Sequence, residues 1–217
     1  AWIVLAVGLG VLAPRVEHAL SGAGWEASGS QSVEARQLID ENFGGQSSAA
    51  LMVVVHSPSA TVGDPDFTAT VDEVALILKE DSRVASVALP AAGFSISQDG
   101  HTAIVSAGAK GTTTEMVAAA DELKGKLKDA GTETVQVSLT GASGMWSDFN
   151  EANRSAMMKS ELISWPVTLV ILMLAFGSLV AAGLPLMLTI LGLVASAGTL
   201  FVGAQFFDIS IWAMNFA

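Results

Sequence analysis

The feature that most constrains this chain is a pair of apolar stretches, residues 162–182 and 184–204, separated by Gly183. Neither stretch contains an Asp, Glu, Lys or Arg. A helix of about 20 residues crosses a hydrocarbon core of roughly 30 Å, and in lipid the backbone must satisfy its own hydrogen bonds. The sequence therefore predicts transmembrane helices at 162–182 and 184–205, joined by a tight turn at Gly183 and Pro185.

The charged residues are concentrated before these stretches. All ten Lys and Arg, and every acidic residue except Asp208, lie between Arg15 and Glu161. The formal net charge of −11 argues against nucleic acid as a partner, because phosphate binding requires a positive surface. The chain has no cysteine, which excludes thiol catalysis and cysteine-based metal sites. We therefore expect an acidic globular domain attached to a membrane region.

The N-terminal end is also apolar. The residues before Pro14 are too few to span a membrane, and we interpret residues 1–14 as part of a first membrane helix. A signal-peptide core has a similar length and is the alternative.

The C-terminal residues, 209–217, predict the start of a fourth membrane helix. Asp208 precedes it, where a carboxylate can cap the helix, and proton transfer is the alternative because ionisable groups in membrane segments are usually functional. Asn215 suits a hydrogen bond to a neighbouring helix.

Residues 15–161 form the predicted globular domain, and its core lies at about 49–140. Asp99-Gly100 between two apolar runs indicates a hairpin. The order β-α-β-β-α-β corresponds to the ferredoxin-like split βαβ unit, an α+β fold that by itself identifies no function. The predicted strands are 49–56, 83–90, 102–108 and 134–141, and the apolar run before the Asp99-Gly100 turn is 94–97. The predicted helices are 65–79 and 112–130. Their inward-facing residues are predicted from the helical period: Phe67, Val71, Val74, Ala75 and Leu78 in the first, and Met116, Val117, Ala120, Leu123 and Leu127 in the second.

Two further helices flank this core. One has apolar residues at Val33, Leu38, Ile39 and Phe43, and ends at Gly44-Gly45. The other is polar, covers 143–160, and continues into the first apolar stretch.

Three charged residues, Arg154, Lys159 and Glu161, lie just before the first predicted span. They are candidates for coupling the domain to the membrane helix, and the alternative is a cluster of interfacial charges that reach the water. The three histidines have no metal-ligand spacing. No catalytic constellation is present, so neither an enzyme nor a cofactor is predicted.

The membrane part resembles the MMPL branch of the RND transporter superfamily. The matching residues are the FGSLVAA and LP motifs at Phe176–Pro185, Glu161 leading the helix, and DISIWAMN at Asp208–Asn215. The charge bias does not determine the side of the domain. The resemblance implies that residues 15–161 are an extracytoplasmic porter domain between membrane helices one and two, in the cytoplasmic membrane.

The resemblance also implies proton-driven export of lipids or other hydrophobic compounds. Its partners would be membrane lipids, lipidic cargo, the remaining helices and a second porter domain. The family's proton relay is an Asp-Tyr pair in helix four, and this chain has no tyrosine, so we expect the relay beyond Ala217. An RND-related accessory protein, of the protein-translocation or sterol-sensing type, is the alternative. A ligand sensor is disfavoured, because a third span follows the second at once.

Overall fold

The computed structural model describes residues 8–16, 20, 29–207, 209, 210 and 213. The chain forms two compact units. One is Trp25–Phe149, and the other combines Ala1–Gly24 with Asn150–Ala217. Of the predicted helix one at residues 1–14, the structure describes the residues from Gly8 onward. Residues 8–10 are helical, and a 3-10 turn follows at Ala13–Arg15. Asp208 and Asn215, predicted at helix four, lie outside the described residues.

The unit Trp25–Phe149 is a mixed α/β fold around a four-stranded sheet. The strands stand in the order β2-β3-β1-β4, and each neighbouring pair is antiparallel. The element bounds are α1 Gln31–Asn42, β1 Leu51–His56, α2 Pro65–Glu80, β2 Val84–Ala88, β3 Thr102–Ala109, α3 Thr113–Asp129 and β4 Gln136–Thr140.

One face of this sheet carries the hydrophobic core. The alternating residues Leu51, Val53 and Val55 of β1 are fully buried, because successive side chains of a strand point to opposite faces. Helices α2 and α3 supply the facing layer. Their predicted inward residues are all buried, which confirms the helical periodicity: Phe67, Val71, Val74, Ala75 and Leu78 in α2, and Met116, Val117, Ala120, Leu123 and Leu127 in α3.

Local signals explain where these helices begin. Pro65 occupies the first turn of α2, where its missing N–H costs no helical hydrogen bond. Helix α3 begins with a capping box, in which the Thr112 side chain accepts from the Glu115 N–H and the Glu115 carboxylate accepts from the Thr112 N–H. Such reciprocal bonds satisfy two donors that a helix start leaves open.

Two further sequence expectations for this unit are confirmed in shortened form. Helix α1 is present and ends before Gly44-Gly45, but it buries no residue, and Leu38 and the following Phe43 are 61% and 68% exposed. The hairpin expected at Asp99-Gly100 is short. The Ser97 N–H donates to the Thr102 carbonyl oxygen and the Ile104 N–H donates to the Ser95 carbonyl oxygen, on either side of a single bridge between Ile96 and Ala103.

The second unit contains two long helices, α4 at Ala142–Phe176 and α5 at Leu179–Gly203. Helix α4 begins in the first unit and continues into the second without interruption. Both helices are long and apolar enough to cross a membrane. The predicted turn at Gly183 is wrong, because the chain breaks at Gly177 and Ser178 instead.

The break has a clear backbone cause. Gly177 has φ +67°, a conformation that glycine adopts without a steric penalty and that commonly ends helices. Ser178 is extended and occupies the N-cap position of α5. Pro185 therefore lies inside α5 rather than at its start. A helix tolerates such a proline in a membrane when its freed backbone groups find other partners.

Small residues mark the close contacts in the second unit. A Cβ atom at Gly198 would collide with the Leu9 carbonyl oxygen, and one at Gly10 would lie 2.8 Å from Val194 Cγ1. By contrast, nothing lies within 4 Å of a Cβ at Gly192. Leu9 and Gly10 therefore pack against α5 at glycine-lined contacts, as small residues permit between membrane helices.

Candidate functional site

The first two turns of α4 are held by polar contacts within the unit Trp25–Phe149. The Ser143 hydroxyl, which is buried, donates to the Ala49 carbonyl oxygen at 2.9 Å. The Ser147 hydroxyl donates to Asp121 Oδ1 at 3.1 Å. Because buried hydroxyls need partners, these bonds hold the start of the helix against α3 and the segment just before β1. Neither serine was predicted from the sequence, although their i, i+4 spacing on one helix face was an available signal.

A surface ion pair reinforces the same segment. Lys124 Nζ lies 2.6 Å from Asp148 Oδ1, and the side chains are 31% and 64% exposed. Exposed pairs contribute about 0–1 kcal/mol. The ion pair therefore adds little to the two buried serine contacts.

The three predicted charged residues lie on one stretch of α4 but not on one face. With 3.6 residues per turn, Arg154 and Glu161 are within about 20° of each other around the helix, and Lys159 is about 140° from Arg154. Lys159 and Glu161 form no ion pair with any residue that the structure describes. The three side chains therefore do not form one compact charged cluster. Glu161 does not share a helix face with Lys159, the nearer basic residue.

Glu161 lines a groove between α4 and α5 with a cavity volume of about 500 Å³. It is the one ionisable residue among those that line it. All but one of the lining residues belong to α4, and they recur at three- and four-residue spacings, which places them on one face. They are Met158, Glu161, Leu162, Trp165, Pro166, Leu169 and Leu186.

The proline in this groove changes the backbone beside Glu161. Pro166 lies inside α4 and has no N–H, so the carbonyl oxygen of Leu162 loses its usual helical donor. Leu162 and Pro166 both line the groove. Glu161 was predicted from the sequence as a candidate, but the groove was not, because Leu186 reaches it from the other helix.

The strongest charge pairing lies elsewhere, at the beginning of β2. The Arg83 guanidinium donates to Asp81 at 2.6 and 2.8 Å and to Glu122 at 2.8 Å. These hydrogen bonds hold the pKa of the Asp81 carboxyl below its ordinary value and raise the pKa of Arg83. One guanidinium is shared by two carboxylates, so the cluster joins α3 to the start of β2 and uses the hydrogen bonds of Arg83 for structure.

No metal site was predicted from the sequence, because the three histidines lack metal-ligand spacing. His101 Nδ1 lies 2.7 Å from the Ala60 carbonyl oxygen, and His56 Nδ1 lies 2.9 Å from Thr102 Oγ1. In the part of the chain that the structure describes, no three His, Asp or Glu side chains converge on a point suitable for a metal ion. These two imidazoles are satisfied by ordinary hydrogen bonds, and His18 lies outside the described residues.

Comparison with known proteins places the chain among membrane proteins. The membrane protein SCO6666 of Streptomyces coelicolor is 30% identical over 183 residues, which covers 82% of this chain and 26% of that protein. The mycolic acid-containing lipids exporter MmpL11 of Mycolicibacterium smegmatis is 26% identical, over 99% of this chain and 24% of that protein.

The membrane protein YdfJ of Bacillus subtilis is 30% identical over the full chain and 29% of its own length. The chain thus spans about a quarter of the length of the curated relatives it matches. The model of the MMPL family matches residues 24–217. This match includes the sheet unit, the serine-anchored start of α4 and both long apolar helices, so the chain belongs to the MMPL family.

Proposed function

We propose that the chain is part of a membrane transporter that exports lipids or other hydrophobic compounds across the cytoplasmic membrane. The observation that carries this proposal is the MMPL family match over residues 24–217, and the named lipid exporter MmpL11 is similar over 99% of the chain. The two apolar helices fit an integral membrane protein. A transported lipid could move beside such helices without leaving an apolar environment.

The unit Trp25–Phe149 is proposed as the extracytoplasmic porter domain of this transporter. The order of its elements, and its antiparallel sheet with β1 and β3 at the centre, are those expected for the ferredoxin-like split βαβ unit. Its acidic surface suits exposure to water. Cargo would meet this domain after leaving the outer part of the bilayer.

The side of the membrane can be tested with single cysteines, since the chain has none of its own. Gln98 lies in an exposed turn of the sheet unit, and Ser178 lies in the turn between α4 and α5. In intact cells, a membrane-impermeant maleimide should label Gln98→Cys and should label Ser178→Cys only after permeabilisation. The reverse pattern would overturn the proposed orientation.

We infer that α4 couples this domain to the membrane, because one uninterrupted helix carries both the buried serine contacts and the apolar span. Arg154, Lys159 and Glu161 lie where the helix passes from one to the other. Charges at such a boundary resist displacement along the membrane normal. A movement of the domain would thereby be transmitted to the membrane helix.

The coupling role predicts a transport defect without loss of the protein. Substituting Gln for Arg154 or Lys159 should weaken coupling by about 0.5–2 kcal/mol. The readout is the rate of lipid export from proteoliposomes that contain the full-length protein. Glu151→Gln, on the same helix, is the matched control. Equal rates in all variants would count against the coupling role.

Proton entry is proposed as the energy source, on the resemblance to the RND superfamily. The test uses the full-length protein in proteoliposomes with an imposed pH gradient and a fluorescent acyl lipid as cargo. Export should stop when a protonophore collapses the gradient. Export that persists after collapse would show that another energy source drives transport.

A further inference from the structure

The depth of Glu161 in the membrane differs from the sequence expectation. The helix break at Gly177 follows Glu161 by 16 residues, which is about 24 Å of helix. If the break marks one boundary of a hydrocarbon core of roughly 30 Å, the carboxylate lies inside the apolar layer, near the opposite boundary. Placing an ionisable group in that position costs free energy, and such a group usually has a function, such as binding a ligand or an ion.

No residue that the structure describes neutralises Glu161. No hydrogen bond or ion pair to its carboxylate is present among these residues, although the side chain lines a groove of about 500 Å³. The groove therefore presents one unmatched negative charge beside apolar side chains.

Two neighbours add to the negative character of the groove. The Leu162 carbonyl oxygen lacks its usual helical donor because residue 166 is proline. The face of the Trp165 indole attracts cations through its π electrons. No Lys, Arg or His lines the groove. A positively charged group is thus favoured by the carboxylate, by a carbonyl oxygen without its usual donor and by an aromatic ring.

The rest of the groove suits a hydrocarbon chain. Met158, Leu169 and Leu186 complete its lining. Leu169 lies eight residues beyond Glu161, which places it about 12 Å deeper along the helix. A ligand with its charge at Glu161 and its tail beside Leu169 would lie parallel to α4, as an amphiphile lies in a bilayer.

The positions of Arg154 and Glu161 along α4 favour one class of amphiphile over another. Arg154 is on the same face as Glu161 and about 10 Å farther from the apolar layer. A zwitterionic phospholipid has its anionic phosphate nearer the acyl chains than its ammonium, so the phosphate would meet Glu161. An alkyl chain that ends directly in an ammonium avoids this repulsion.

We propose that the groove between α4 and α5 binds a cationic amphiphile, an alkyl chain ending in a single ammonium group. The ammonium pairs with Glu161 and the Leu162 carbonyl oxygen, over the Trp165 ring. The chain lies along Leu169 and Leu186. This binding site goes beyond the proposed export function and requires no transport.

The test is photolabelling of the full-length protein in phosphatidylcholine nanodiscs. The probe is dodecylammonium with a diazirine in its chain, and the matched uncharged probe is dodecanol with the same diazirine. Mass spectrometry should locate the ammonium label within residues 158–169 or at Leu186. The loss of a charged partner in Glu161→Gln should reduce this labelling about tenfold, and the dodecanol label should not change.

Glu151→Gln is the control, because it removes a carboxylate from the same helix without touching the groove. If Glu161→Gln does not insert, competition on the wild-type protein provides the test: excess dodecylammonium should abolish the label and excess dodecanol should not. Equal labelling by both probes, unchanged labelling in Glu161→Gln, or competition by phosphatidylethanolamine alone would overturn the proposal. Absent export with intact labelling would contradict only the export function.

Discussion

The sheet unit and the two long helices use the same kinds of side chain in opposite ways. In the unit Trp25–Phe149, Phe67 and Leu78 are fully buried. In α4 and α5, Leu174 is 82% exposed and Val180 is 78% exposed. Burial of apolar area stabilises a fold in water by roughly 25 cal/mol per Å². Apolar side chains exposed along two whole helices form a large contiguous apolar surface, which is typical of contact with lipid or with another protein surface.

The comparison shows where each region gets its stability. The sheet unit depends on a packed core, whereas the helices depend on lipid around them and on a few close backbone contacts. Between membrane helices there is no hydrophobic driving force, so association relies on packing and hydrogen bonds. Substitutions of the same kind should therefore have different consequences in the two regions.

Truncating a buried aromatic residue should have the largest effect. Phe67→Ala removes a fully buried side chain and should lower the free energy of unfolding of the sheet unit by about 3–5 kcal/mol. Leu174→Ala, the matched change on an exposed position, should alter it by less than about 0.5 kcal/mol. Hydrogen exchange of the β1 amides in the membrane-inserted protein measures both. Similar losses of unfolding free energy in Phe67→Ala and Leu174→Ala would contradict the proposed difference between the two regions.

Placing a charge on an exposed leucine should distinguish the two solvents directly. Leu174→Arg should cost about 2.5–3.5 kcal/mol of membrane insertion, because its side chain is 82% exposed on a helix apolar enough to span a membrane. Leu76, which is 52% exposed on α2, should accept the same substitution within about 0.5 kcal/mol. The inserted fraction after membrane fractionation is the readout. Normal insertion of Leu174→Arg would mean that this face of α4 meets water or protein.

The glycine contacts should matter only where another backbone is close. A Cβ at Gly198 meets the Leu9 carbonyl oxygen, whereas one at Gly192 meets nothing within 4 Å. Gly198→Ala should therefore cost about 1–3 kcal/mol by overpacking. The readout is disulfide formation between cysteines placed at Gly10 and Val194, which should fall in Gly198→Ala. A matching fall in Gly192→Ala would show that the contact with Leu9 is not the cause.

The smallest expected effect concerns charge in the aqueous unit. Arg83 lowers the pKa of Asp81 below its ordinary value of 3.8. A carboxyl with a depressed folded pKa stabilises the fold above its unfolded pKa, and that stability is lost as the pH falls through the folded pKa. Asp81→Asn should thus cost about 1–2 kcal/mol at pH 7 and progressively less in acid.

Hydrogen exchange of β2 at neutral and acidic pH measures this difference, and the exposed Asp72→Asn is the control. A penalty for Asp81→Asn that does not shrink in acid would contradict the role of the ion pair. The result would sharpen the comparison, since paired charges stabilise the sheet unit while an unpaired charge is costly in a membrane helix.

Most of the sheet unit could be predicted because its signals are local. Every inward residue expected in α2 and α3 is buried, since a 3.6-residue period needs no knowledge of distant segments. Helix α1 had a comparable apolar pattern and buries nothing. A pattern shows which face could be covered, but not whether a partner covers it.

The candidate site was predictable only in part. Glu161 stood out as a charge beside an apolar stretch, whereas Trp165, Pro166 and Leu186 read as ordinary span residues. Their grouping depends on the position of Leu186 of α5 beside α4. The serine contacts to Ala49 and Asp121 likewise join positions far apart in the chain, which no local pattern reveals.

By itself, the sequence determined that this protein has an acidic α/β unit and two apolar helices, because hydrophobic periodicity and the length of uncharged stretches act locally. The break at Gly177 rather than Gly183 also has a local cause, since a glycine at positive φ is followed by Ser178 at the N-cap. Tertiary structure alone decided that Gly198 is the close contact and that Glu161 faces a groove. A backbone approach and a cavity each depend on where a second segment lies in space, and that position is set by the packing of the chain.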